Sequence, residues 1–178
     1  MENKNFYLFT GGPGSGKSTV LDVLRSKEYL TVQEVARDII RHQVETQGDA
    51  VPWGNTVRYS NLMLLRSIVD FEEFAHVGKP CFFDRGIMDV LGYARLIGIP
   101  ETLEMQEAAR KYRYNERIFF FPFWEEIYAN DAERKQDMAE AKKTDAALRS
   151  VYEDFGYCIL EVPFLSPQER AEWILQRV

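Results

Sequence analysis

Cysteine, histidine and long apolar runs are all scarce in this chain of 178 residues. It holds two cysteines and two histidines. Cys81 and Cys158 stand far apart in apolar, strand-like runs, so the expectation is two buried free thiols in a reducing compartment and no disulfide framework. His42 and His76 belong to no ligand cluster, which argues against a histidine-built metal site. The longest apolar block, "IFFFPFW" at 118–124, is far too short to span a bilayer. No long apolar segment follows the charged Glu2 and Lys4, so no signal peptide is expected and the chain reads as cytoplasmic. An excess of positive charge is also lacking: the formal net charge is −6. That speaks against a non-specific nucleic-acid binder, which carries a basic stripe.

What remains is ordinary for a globular protein, with 46% hydrophobic and 28% charged residues. A chain of this length reads most simply as one domain, residues 1–178, and can bury about 70% of its unfolded surface. Short β-rich segments alternate with helical ones, the pattern of a parallel α/β sheet. Strands are expected at 5–10, 29–33, 79–84, 117–121 and 157–162. Helices are expected at 17–25, 34–46, 56–77, from about 86 to 97, 101–112 and 125–154. Ser166, Pro167 and Glu169 spell an N-cap, an N1 proline and a capping-box acid for a last helix.

Between the first strand and the first helix lies G-G-P-G-S-G-K-S, Gly11, Gly12, Pro13, Gly14, Ser15, Gly16, Lys17 and Ser18, followed by Thr19. It matches G-x-x-x-x-G-K-[ST] in full. Glycines let successive backbone N–H groups approach phosphate oxygens with no Cβ in the way. The helix opening at Lys17 adds its positive end. Lys17 can reach the β- and γ-phosphates, and Ser18 offers a hydroxyl to Mg²⁺. The implied ligands are ATP and Mg²⁺. The G-x-G-x-x-G dinucleotide spacing is not met.

Such a loop needs a carboxylate from a neighbouring strand to complete the metal site. "CFFDRG" supplies Asp84 at a strand's carboxyl end, where ligands gather in open α/β sheets. Asp84 reaches Ser18 only if its strand lies beside the first. That predicts a five-stranded parallel sheet in the order 2-3-1-4-5, helices on both faces, the three-layer P-loop NTPase fold. Asp84 could instead cap the next helix. Arg85 follows it, as a phosphate ligand or a surface ion pair. Glu34 holds the matching place after the second strand. One of the two carboxylates suits metal; the other suits general-base removal of a hydroxyl proton. Glu34 could alternatively serve the helix dipole. Arg37, one turn on, is placed to pair with it or with substrate.

Arg134 and Lys135, after the fourth strand, occupy the place of a mobile cationic lid that would stabilise a transferring phosphoryl group. "RKYR" at 110–113 is a weaker basic candidate. Trp53 could stack on an acceptor ring from a cleft loop. "DVLG" at 89–92 imitates a GTPase switch but lies in a helix, and "KKTD" at 142–145 misses the guanine-reading N-K-x-D at its first residue.

On "TGGPGSGKST", "VQEVARDII", "FFDRGIMDVLGYARLIG", "YNERIFFFPFWEEIYANDAERKQ" and "VYEDFGYCILEVP", the chain resembles the predicted ATPases of the AAA-type family related to the ribosylnicotinamide kinase domain of the bacterial NAD-synthesis regulator. The similarity covers almost the whole length. More distantly it resembles deoxynucleoside kinases. That resemblance implies a base at Glu34 and an acid–arginine pair at Asp84 and Arg85. It implies ATP binding without choosing an acceptor. Ring-motor hallmarks are missing, since the third strand ends "FFDR" and not in an Asp-Glu pair. The expectation is a kinase moving the ATP γ-phosphate to a small nucleoside-like or ribosyl acceptor. The alternative is a nucleotide-gated binding module with slow hydrolysis and a protein or lipid partner.

Overall fold

A computed structural model describes residues 1–127 and 138–178. Strand β1 is Phe6–Thr10, and every one of its residues is buried. The remaining strands are β2 Leu30–Val32, β3 Cys81–Asp84, β4 Arg117–Phe120 and β5 Cys158–Glu161. All pair in parallel, in the order β2-β3-β1-β4-β5. The expected order is therefore observed, and Phe9 lies opposite Asp84.

Helices α1 Lys17–Ser26, α2 Val35–Glu45, α3 Thr56–Phe74, α4 Ile87–Ile97, α5 Leu103–Lys111, α6 Met138–Asp154 and α7 Pro167–Leu175 complete the described elements. Side chains alternate across the central strands with period two. Phe6, Leu8, Phe83, Ile118 and Phe120 enter the larger core, beneath α3, α4 and α6. Tyr7, Phe9, Phe82, Phe119 and Phe121 enter the smaller one, beneath α1 and α7. Because both faces are covered, the strands read as continuous apolar runs.

Three expectations need correction. Cys158 is exposed, whereas Cys81 is buried. Its strand is the sheet edge and pairs only with β4, so its flanks are partly open. The segment 125–154 is not one helix among the described residues. It opens with a 3₁₀ turn at Glu125–Ile127, and α6 begins at Met138. Asp84 does not cap α4; the N-cap is Gly86, whose N–H donates to Asp89 at 3.0 Å. The last helix is capped as read, with the Ser166–Glu169 box and Pro167 in the first turn.

Candidate active site

The glycine loop turns on three positive-φ glycines, Gly11, Gly14 and Gly16. At Gly11, with φ +126°, a Cβ would sit 2.1 Å from the Phe121 carbonyl oxygen, so only glycine fits. Gly16 is the left-handed N-cap of α1 and provides no side-chain cap. The first amides of that helix are thus left for an anion. Lys17 is buried and folds back over the loop. Its Nζ donates to the carbonyls of Gly11 (3.0 Å) and Gly12 (2.8 Å) and to Ser15 Oγ (3.1 Å). Burial lowers its pKa to about 8, and the neighbouring Arg85 cation adds to that; Asp84, Glu34 and Asp89 oppose it.

The strand order brings Asp84 to this loop. Its Oδ2 accepts from Ser18 Oγ at 3.3 Å. Its Oδ1 is buried with no partner among the described residues. A buried carboxylate oxygen without a donor is costly, and burial pushes this carboxyl up despite Lys17. A cation at this oxygen removes both penalties. No group of three or more His, Cys, Asp or Glu among the described residues could hold a metal. Mg²⁺ binds through one or two carboxylates, phosphates and its own waters, and Asp84 beside Ser18 offers one such carboxylate. The residues present therefore fit a Mg²⁺ held by Ser18 and Asp84. Asp84→Asn is expected to raise the Mg²⁺ concentration needed for half-maximal ATP turnover by about tenfold or more, one charged hydrogen-bond equivalent. An unchanged Mg²⁺ titration would remove Asp84 from the metal site.

Arg85 adopts a left-handed backbone, φ +68°, rare for a non-glycine residue and most often found at functional sites. Its side chain lies among three partners. Nε donates to Glu34 Oε1 at 2.9 Å, Nη1 to Asp89 Oδ1 at 3.1 Å, and Nη2 to the Gly11 carbonyl at 3.1 Å. It thus ties the second and third strand ends to the phosphate loop. It is not a surface ion pair, its side chain being 20% exposed. Glu34 also meets Arg37 Nε at 3.5 Å. Burial pushes the Glu34 carboxyl up, but Arg85, Lys17 and Arg37 together hold it below its ordinary value. It is ionised at neutral pH and can accept a proton.

Three residues that sequence reasoning passed over help to build the site. Asp89 accepts from Thr10 Oγ1 (2.6 Å), Tyr152 OH (2.7 Å), the Gly86 amide and Arg85, and so orients Arg85. The capping-box position three residues after Gly86 was the available signal. Asp145, in the discarded "KKTD", accepts from the amides of Gly12 and Phe123, each at 2.9 Å, and braces the loop against α6. Arg170 is buried, donates to the Ser15 carbonyl at 3.1 Å and lies over the rings of Phe121 and Trp124. No local pattern marks such a buried arginine.

Other sequence candidates stand apart. Trp53 is 71% exposed and does not line the cleft. Arg110 and Arg113 lie over Phe155 and Tyr157, with the Arg113 amide bonded to the Met1 carbonyl, away from the phosphate loop. Arg134 and Lys135 fall outside the described residues. Pro13 to Thr19, Glu34, Asp84 and Arg85 all line one cavity of about 930 Å³. No described helix is long and apolar enough to cross a membrane.

Three solved structures share this fold. Deoxyadenosine kinase from M. mycoides aligns with a TM-score of 0.70 at 12% identity, covering 97% of each chain. Thymidylate kinase from Ehrlichia chaffeensis gives 0.63 at 13% identity, again over 97% of each. Shikimate kinase from Acinetobacter baumannii gives 0.53 at 15% identity, over 97% of this chain and 90% of that one. Among curated proteins none matches. The AAA_28 model, an AAA domain, matches residues 6–170, and with its complete phosphate loop on the fold of small P-loop kinases this chain belongs to that family.

Proposed function

We propose that this protein is a phosphotransferase that moves the γ-phosphate of ATP to a hydroxyl of a small acceptor, nucleoside-like or ribosyl in kind. The observation that carries the reading is the convergence of Glu34, Arg85 and Asp84 on the phosphate loop within one cavity. A protein that only bound nucleotide would have no use for an ionised carboxylate held by a fixed arginine beside the phosphate loop.

Each group has a role in this account. The loop amides and the N-terminus of α1 cradle the phosphates, and Lys17 leaves its loop carbonyls for the β- and γ-phosphate oxygens. Ser18 and Asp84 would hold Mg²⁺, which would supply charge neutralisation for the phosphate chain. Glu34 accepts the proton of the acceptor hydroxyl as its oxygen bonds to the γ-phosphorus and the bond to ADP breaks. Arg85 acts mainly as a positioning residue, since each of its guanidinium nitrogens is already engaged. The kinases that share this fold support the class of reaction.

The test is ATP turnover by purified protein with and without a panel of nucleosides and ribosyl compounds. Stimulation well above the acceptor-free rate is expected for at least one. Indifference to every acceptor favours the nucleotide-gated module instead.

A further inference from the structure

The cavity does not stop at Glu34. It runs on between α3 and α4, where Tyr59, Met63, Ser67 and Asp70 face it from α3 and Tyr93 and Leu96 face it from α4. The α3 residues are spaced four, four and three apart, which puts them on one side of the helix. Tyr59 stands near Glu34, whose charge acts on its hydroxyl. Asp70 lies three turns further along, ~16 Å by helical rise. Tyr59 and Tyr93 meet edge to face with centroids 5.6 Å apart. The limb is therefore long, apolar and aromatic, with the phosphate loop at one end and a carboxylate near the other.

At its far end the limb carries a carboxylate. Among the described residues, α3 and α4 contribute only Asp89 and Asp70 to the lining as charges. Asp89 is satisfied by four donors, as described above. Asp70 is 7% exposed, and its one partner among the described residues is Arg66, whose Nε lies 3.3 Å from Oδ1. Arg66 is itself largely exposed, at 60%, and such a pair contributes little. The second oxygen, Oδ2, has no described partner. Burial pushes this carboxyl up, with Arg66 opposing. Arg85, bonded to Glu34, Asp89 and the Gly11 carbonyl, is not among the charges that act on Asp70.

We infer that this limb holds the acceptor, and that among nucleoside-like and ribosyl alcohols it takes those with an elongated apolar or aromatic body whose far end is cationic, received by Asp70, while refusing acceptors that are anionic at that end. The inference rests on the kinase reading for calling the ligand an acceptor; the charge preference of the cavity does not.

The test is calorimetric binding to the full chain saturated with ADP, which fills the phosphate loop and has no γ-phosphate to give, so the result is independent of catalysis. The probes are decanol and its ω-amino and ω-carboxylic derivatives, which share one length and one hydroxyl. The amino probe is expected to bind about tenfold or more tighter than the carboxylic one, one charge-assisted hydrogen bond. Asp70→Asn should abolish that preference. Arg66→Gln, at an exposed site, should keep the fold and widen the preference by removing the competing cation. Overturning results are equal affinity of the two charged probes, a preference unchanged in both variants, or no saturable binding of the amino probe. Lack of acceptor-stimulated ATP turnover, with the charge preference intact, would instead count against the kinase reading alone.

Discussion

Lys17→Ala is expected to lower ATP turnover by about 10²–10³-fold, the typical cost of removing one preorganised donor to developing charge. Arg170 touches the loop through the Ser15 carbonyl, but Lys17 is the cation that directly follows Gly16 at the start of α1. Arg85 is nearest in kind, but it is spent on Glu34, Asp89 and the Gly11 carbonyl. The fold should survive, because Lys17 contributes hydrogen bonds to flexible loop carbonyls and not core packing. Turnover by purified Lys17→Ala equal to wild type would sink the site assignment. A pH signature accompanies the residue. In the free protein its pKa is lowered to about 8 by burial and by Arg85. Phosphates beside the ammonium favour the charged form and raise that value, so above pH 8 binding takes up a proton. ATP affinity is thus expected to fall as pH rises above 8, by up to about tenfold per pH unit while one proton is linked. Calorimetry between pH 7 and 9 in two buffers of different ionisation heat measures both the affinity and the proton; a flat profile contradicts the assignment.

Glu34→Gln is expected to leave ATP binding near normal while reducing acceptor phosphorylation by about 10²–10⁴-fold, the usual worth of a general base. Glutamine keeps the shape and can still accept from Arg85, but it cannot take a proton. The wild-type carboxyl is held below its ordinary value because the cations outweigh burial. The sign follows: the base form persists through neutral pH, and the rate falls only as the pH drops below the usual glutamate range. A merely structural glutamate near a helix start would behave otherwise, costing about 0.3–1 kcal/mol of stability and leaving the chemistry alone. ATP affinity measured beside initial transfer rates separates the two. Equal transfer rates would take from the kinase reading its best single residue.

Much of this site was legible because its parts carry local patterns. The phosphate loop has a fixed spacing, and Asp84 demanded a strand beside β1, which alone fixed the centre of the sheet. The pairing of β1 with β3 followed from that one geometric need; the places of β2, β4 and β5 did not. Harder to read were residues that act through distant partners. Asp89 looked like part of a false switch motif, yet it gathers donors from β1, α4 and α6. Asp145 failed as a guanine reader and turned out to brace Gly12. Cys158 sits in a run as apolar as that of Cys81, but burial is a property of strand position, and an edge strand shields less. Trp53 suggested stacking by residue type alone, while the loop that bears it turns it outward. Glu34 follows β2 and lines the cavity, but its clamp by Arg85 needed the left-handed turn at Arg85, which a sequence of L-residues does not advertise.

The most direct measurement follows the γ-phosphate itself. ATP labelled at that position is incubated with the protein, Mg²⁺ and each candidate acceptor, and the products are resolved by phosphorus magnetic resonance. The account predicts a phosphomonoester of one acceptor, formed in step with ADP and lost in Glu34→Gln. Inorganic phosphate as the sole labelled product, whatever acceptor is present, would contradict it.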